Sequence, residues 1–566
     1  MNRSFGAVKF RSLLLAGTVS VLANTFGHLV DVFISGNALG ADALAGVNLV
    51  LPCLSFGCFV GGLVSSGVAT EYSIAMGRCD RRGAHRVFTQ GVWTVLAGAG
   101  ALSVFLFFAR NAILSFYGAS GGICAAAGEY FSFAWAIPAL EAALMFVVAI
   151  AHADGHARLC VSAYVIDILL NVLLSCLAVR LGCGVAGVAA ATVVSTGVAI
   201  AVAGLHFFSA TNTARLTHWF SFRDSLRICR ASFGDSAAFL CDTLVFAFLN
   251  KFAASYLGES ALPVVGVVSA VWGIATFTDG VGAAIQPIVT VYYGEGNSYS
   301  VRQVMKSAVL WSAFEGLAAM AVVVVFAESV VRLFGIADPD MVVRAMYAVR
   351  LASCGIVAKS LAGLFNSYYM FIEQPMLSAS LTFTSYLVMP ITGVAVFSLL
   401  GGDMVWLGFG LGAVGGCVSV AAIVIAMRGW KAFPLLLDFS REAKLHVFDL
   451  RLTEREIVDV SRRIGLMPGV TMRAALVTEE VLMLVRERAK GRLLNGEVTV
   501  DLNDGVRLTL RDDGEVFDIT DADATVSSLR SYLVSSVMSA CAHRLNFVTT
   551  GFNRNVFDFT QERHVK

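Results

Sequence analysis

Long apolar runs alternate with short polar breaks from the N-terminus to about residue 430, after which charged residues become frequent. Apolar windows fall at 12–36, 44–70, 86–109, 128–151, 159–181, 184–209, 234–257, 261–292, 303–327, 342–371, 376–400 and 402–427. Each is long enough for an α-helix to cross a hydrocarbon core. The pattern therefore predicts an α-helical polytopic membrane protein with twelve transmembrane helices. Beyond residue 440 the pattern is different. Helical periodicity at 453–464 and 471–490 precedes two alternating runs, VTVDLND and VRLTLRDDG, then a helix near 527–543 and a hairpin, LNFVTTGFNRNVFDFT. Residues 440–566 thus read as a cytosolic α/β domain of ordinary size.

Sliding the chain along itself by 217 or 218 residues brings out a repeat. Ala38-Leu39-Gly40 meets Tyr256-Leu257-Gly258, Gly77-Arg78-Cys79-Asp80 meets Gly294-Glu295-Gly296-Asn297, and Leu159 with Ser162 meets Leu377 with Ser380. The helical part divides into two six-helix pseudo-repeats, 1–210 and 233–430, joined by a cytoplasmic linker at 211–232. Paired repeats in transporters flank a central site.

Composition sharpens this picture. Of 566 residues 57% are apolar and 14% are charged, and the mean hydropathy of +0.75 is that of a membrane protein. The net charge of +1 gives no sign of a nucleic-acid partner. Basic residues gather at the N-terminus, in GRCDRRGAHR, in 215–230, and at Arg302, Lys306, Arg428 and Lys431. That bias places both termini in the cytoplasm. The N-terminal run resembles a signal peptide, but its apolar stretch continues to Ile34 and reads as the first span. Most of the twelve cysteines lie in apolar runs without metal-ligand spacing and read as small hydrophobes.

Against this apolar background, ionisable residues stand out. The first window contains NTFGHLVDVFISG, with Asp31 and, about a turn earlier, His28. A carboxylate at mid-membrane costs about 2.5–3.5 kcal/mol and normally faces a partner or an ion path. Further along, Asp167, Asn171 and Ser175 recur at i, i+4 and i+8 and so share one helix face. Glu141, Lys251, Asp279, Glu315 and Lys359 also fall in apolar windows, and Asp279 sits in the glycine-rich FTDGVGAAIQP. Under the repeat offset Asp31 lies opposite Leu249 and Asp167 opposite Ser385, so these acids belong to one half alone.

Several of these segments together resemble the multidrug and toxic compound extrusion (MATE) transporters: Val30-Asp31 with Phe33 to Gly36, ALGADALAGVNLVLP, GVATEYSIAMGRCD, DGHARL and GVAGVAAATVVS. The resemblance covers residues 12–430. It implies two bundles that alternate access and, without a cofactor, export small amphipathic, cationic compounds from the cell membrane in exchange for H⁺ or Na⁺. It also implies that Asp31 couples to the cation, with a second polar site on the fifth helix. There the family commonly shows Asn followed four residues later by Asp. Asn171 keeps its place here, but Ser175 stands where the acid would be and Asp167 offers one a turn away. H⁺ or Na⁺ at Asp31, Asp167 and Asn171 is the resulting expectation, with His28, Ser175 and Asp279 as secondary candidates.

The tail resembles the histidine-kinase-like ATPase fold of anti-sigma-factor kinases through LVTEEVLMLVRERAKG and LTLRDDGEVFD. That resemblance assigns Glu480, Asp512 and Gly514 to nucleotide binding. Leu484 replaces the magnesium-binding Asn and Val516 the second Gly. Phosphates need exposed backbone amides and a metal held by oxygen ligands, so a degenerate domain that regulates or binds a regulatory protein is expected. Two other functions share these features: a membrane-anchored sensor signalling through the tail, and a flippase for lipid-linked precursors.

Overall fold

The computed structural model describes residues 4–116, 121–209, 212–258, 261–334, 336, 338–430, 435–437, 444–489, 491–503, 505–514, 541–548 and 552–559. Some side chains inside helices, that of His28 among them, lie outside the described set. The first half consists of α1 (Phe5–Ile34), α2 (Ala41–Gly77), α3 (Arg81–Phe116), α4 (Gly121–Ala134), α5 (Ile137–Ala153), α6 (Ala157–Arg180) and α7 (Gly184–Gly204). The second comprises α8 (Phe222–Tyr256), α9 (Leu262–Ile274), α10 (Gly280–Glu295), α11 (Ser298–Val325), α12 (Ala327–Leu333), α13 (Pro339–Ser353), α14 (Ile356–Phe371), α15 (Pro375–Thr382), α16 (Met389–Ser398) and α17 (Met404–Arg428). Among the described residues nine helices are long and apolar enough to cross a membrane, or up to eleven if each of two bent pairs is one span.

Nine of the twelve expected windows coincide with these spans, and 128–151 and 342–371 coincide with the bent pairs. The window 12–36 falls in α1, where many side chains are not described. The window 128–151 is broken between α4 and α5, which bend by 43°; Pro138 stands in the first turn of α5 and cannot continue the preceding hydrogen-bond ladder. The window 342–371 is likewise bent, by 40° between α13 and α14, whereas 261–292 and 376–400 each remain one span although a 3₁₀ turn at Ala275–Asp279 and a π-helical turn at Phe383–Val388 lie within them. Such tightened or widened turns put local backbone irregularity beside side chains that face an interior cavity. At the first of them, Gly280 brings α10 against Gly17 and Thr18 of α1 with no room for a side chain.

After α17 the described chain forms β1 (Leu445–Arg451), α18 (Glu454–Gly465), α19 (Met472–Arg488), β2 (Asn495–Asp501), β3 (Arg507–Asp512), β4 (Ala542–Val548) and β5 (Phe552–Asp558). The strands make one antiparallel sheet in the order β1-β2-β3-β5-β4. Thr453 caps α18 by accepting from the Glu456 N–H. The expected helix near 527–543 lies mostly outside the described residues, and its end is otherwise: Ala542 and His543 open β4. Strand alternation gives the sheet two unlike faces. Val498, Val500, Leu508, Leu510 and Phe557 pack with α18 and α19 into an apolar core. Glu497, Thr499, Arg511 and Arg554 occupy the opposite face and are buried against the helical part.

Candidate functional site

Four helices of the first half converge on Asp31, which is buried at 4% exposure. From α4 the Tyr130 hydroxyl donates to Oδ2 at 2.7 Å, and from α7 the Thr192 hydroxyl donates to the same oxygen at 2.7 Å. From α6 the Asn171 amide donates to Oδ1 at 3.3 Å. Asn171 is held in turn: its amide also reaches Thr192 at 3.2 Å, and its carbonyl accepts from Ser175 at 3.0 Å. Ser175, the residue in place of an acid, therefore orients the side chain that contacts Asp31. Asp167 lies one turn from Asn171 on α6 and accepts from Thr196 at 3.4 Å.

Asp31, Asp167 and Asn171 line one cavity of about 40 Å³ with Tyr130, Glu141, Thr192 and Thr196. A water needs about 10–15 Å³ by the same measure, so this space suits an ion or a few waters and excludes an organic molecule. Charge-assisted hydrogen bonds from hydroxyls and an amide hold a carboxylate in place without cancelling its charge. The structure thus brings three expected residues into one chamber. Tyr130, Thr192, Thr196 and Glu141 were not among them. Glu141 stood out only as an intramembrane acid, while no local pattern distinguishes the hydroxyls from the packing residues of a helix.

A second group of charges belongs to the other half. Lys359 is 2% exposed at its side chain and forms an ion pair with Asp242 at 3.1 Å; its ammonium lies 5.0 Å from the Trp272 ring and 5.4 Å from that of Tyr386. Asp235 accepts from Ser367 of α14 at 3.2 Å and from Ser66 of α2 at 3.1 Å, so it joins the two halves. Asp235, Asp242 and Asp279 line an inter-half cavity of about 300 Å³ with Met145, Phe239 and Met370. That volume is at the lower end for sites that take organic ligands. Asp279 is therefore separated from the Asp31 chamber and grouped with these acids. Of the lysines in the apolar windows, Lys359 thus pairs with Asp242, and Lys251 is exposed. Among the described residues no group of three or more His, Cys, Asp or Glu has the arrangement of a metal site.

In the tail, Asp512 is 1% exposed and accepts from the Asn553 amide at 2.7 Å and the Gly514 N–H at 3.0 Å. Burial pushes its carboxyl up to about 6. Its Oδ1 thus serves both a turn and a cross-strand contact. Leu484 is buried in the apolar core, and Glu480 lies half-buried on α19.

Solved structures share the fold of the helical part. A MATE in complex with MaL6 aligns with a TM-score of 0.69 at 21% identity, over 75% of this chain and 97% of that one. The outward-facing conformation of a multidrug resistance MATE family transporter of the MOP superfamily gives 0.69 at 22% identity, with the same coverage. A MOP superfamily transporter from Pyrococcus furiosus, described as having a binding pocket of reverse polarity, gives 0.67 at 22% identity over 75% of this chain and 96% of that one. No curated protein matches the chain. The MatE family model matches twice, over residues 18–177 and 236–394, once in each half and at the spacing of the internal repeat. Those matches span more than half of the sequence, and with the shared fold they establish that the chain belongs to the MatE family and is a transporter, not an enzyme.

Proposed function

We propose that this transporter is a secondary antiporter of the cell membrane, exporting amphipathic cations in exchange for H⁺ or Na⁺ by alternating access. In this reading twelve spans form two six-helix bundles, 1–210 and 233–430, with both termini cytoplasmic. Asp31 binds the coupling ion with Asp167 and Asn171, and the acid-lined cavity between the halves receives the substrate. The observation that carries the reading is the carboxylate held by Tyr130, Thr192 and Asn171 in an ion-sized chamber. Methionine and aromatic side chains beside carboxylates suit flat, apolar cations. The tail is a histidine-kinase-like domain that has lost catalysis; Leu484 in the core and Asp512 engaged by Asn553 support this. The test is ethidium uptake into inverted vesicles under an imposed H⁺ or Na⁺ gradient. Gradient-driven uptake that Asp31→Asn removes is expected; uptake unchanged in that variant would overturn the coupling role.

A further inference from the structure

Hydrogen-bonded register places Asp449, Glu497, Arg511 and Arg554 side by side across β1, β2, β3 and β5, in one row on the sheet's polar face. This row sits against the point where the two halves of the transporter meet. There α2, from the first half, ends at Gly77, and α10, from the second, ends at Glu295. The helix ends touch through glycine: a Cβ on Gly77 would lie 2.5 Å from the Val291 carbonyl, and one on Gly294 2.5 Å from the Ile74 carbonyl. These are the loop segments that the internal repeat pairs.

Arg554 engages both halves with one guanidinium. Its Nη1 donates to the Met76 carbonyl at 3.1 Å and its Nη2 to the Gly77 carbonyl at 2.8 Å, while Nε lies 2.6 Å from a Glu295 carboxylate oxygen. Arg511 stacks 4.8 Å from the Tyr292 ring, pairs with the other Glu295 oxygen, and reaches Glu497 at 2.5 Å. Glu497 accepts from Tyr292 at 2.9 Å and from Ser300 at the start of α11 at 3.2 Å. Asp449 accepts from the Phe5 N–H at the start of α1 at 2.7 Å. Both arginine side chains are at most 2% exposed. A surface so fully desolvated is a committed contact, because separating it breaks the ion pairs of both arginines with Glu295 and the hydrogen bonds that cross it.

We propose that the five-stranded domain is a clasp that holds the two halves of the transporter together at this end, and that each transport cycle requires its release. The inference rests on the transporter reading above and assigns the tail a mechanical role within it. In alternating access the halves must separate at the end that admits substrate. Arg554 bonds to both halves, so that separation cannot occur while the sheet remains docked. The clasp thereby favours the state closed at the sheet-bearing end, and whatever displaces the sheet permits transport.

The test uses full-length protein with its native cysteines replaced and spin labels at two exposed positions near this end, Arg82 in the first half and Met376 in the second. Arg554→Gln and Glu295→Gln should each add a longer inter-label distance that wild type lacks, and the double variant should add no more than either single one. Unchanged distances in both singles would overturn the proposal. A second test adds bonds and compares oxidised with reduced protein of one sequence: cysteine pairs at Phe5 and Asp449, on the first half, and at Ser300 and Glu497, on the second, tie the sheet to both. Oxidation should reduce ethidium uptake about tenfold or more, the effect of about 1.4 kcal/mol, and a reductant should restore it. Oxidised protein that takes up ethidium as fast as the same protein under reductant would also overturn the clasp. Absence of uptake in every protein, reduced wild type included, would refute the transporter reading instead, and the distances would still decide the clasp.

Discussion

Asp31 and Asp242 are both carboxylates inside the helical part, and their described partners differ in kind. Asp31 is held by two hydroxyls and an amide in a chamber of about 40 Å³. Asp242 is paired with a buried ammonium on the wall of a cavity of about 300 Å³. Neutral donors leave a carboxylate's charge in place, whereas Lys359 balances it within the protein. The first arrangement suits exchange of a small ion, and the second suits a scaffold that shapes a larger site. In the proposed function the two halves therefore carry different electrostatic tasks.

Separate substitutions should break this contrast, in order of size. Lys359→Met strands Asp242 and should destabilise the protein by about 3 kcal/mol, near the low end for a severed buried pair because Asp242 is partly exposed. Lys359→Met with Asp242→Asn should recover much of that loss, and thermal unfolding in detergent would measure both. Asp31→Asn should instead leave the melting temperature nearly unchanged and remove the driving force of the ion. One charge moving through 100 mV is worth about 2.3 kcal/mol, about fifty-fold in substrate accumulation, and vesicle uptake would read that loss. Tyr130→Phe removes one hydrogen bond to a charged group and should weaken ion dependence about tenfold, corresponding to about 1.5 kcal/mol; titrating uptake against Na⁺ or H⁺ concentration would show it.

The smallest effect concerns pH at the docked sheet. Burial, and secondarily Asp449 in the neighbouring strand, push the Glu497 carboxyl from 4.5 up to about 8. Arg511 and Thr499 of the sheet, Tyr292 and Glu295 of α10, and Ser300 of α11 also face or adjoin it. A raised folded-state value means that docking is strongest below about 4.5 and weakens as pH climbs through 8. Glu497→Gln should therefore lose this pH dependence while docking nearly as well at pH 7. Comparing wild-type and variant unfolding from pH 5 to 9 would check it, and identical slopes would refute the assignment.

Particular residues show how far one chain could be read unaided. Asp31, Asp167 and Asn171 were legible because a carboxylate or amide is conspicuous among leucines and valines. Tyr130 and Thr192 were not, since a hydroxyl on an apolar helix is ordinary until another helix presents its acid. The breaks at Ala275–Asp279 and Phe383–Val388 were also hidden, because 3₁₀ and π turns preserve the hydropathy of the helices they interrupt. In the tail, alternation revealed strands, yet nothing local announced that Glu497, Arg511 and Arg554 would share a row.

By itself, then, the sequence determined the membrane class, the repeat and the acids placed at cost in apolar surroundings, because hydrophobic length and charge burial are set residue by residue. Tertiary structure alone decided which hydroxyls hold Asp31, which acid pairs with Lys359, and that the sheet docks where α2 meets α10. Those outcomes depend on strand register and helix crossing, which join residues up to 478 positions apart and leave no periodic trace along the chain.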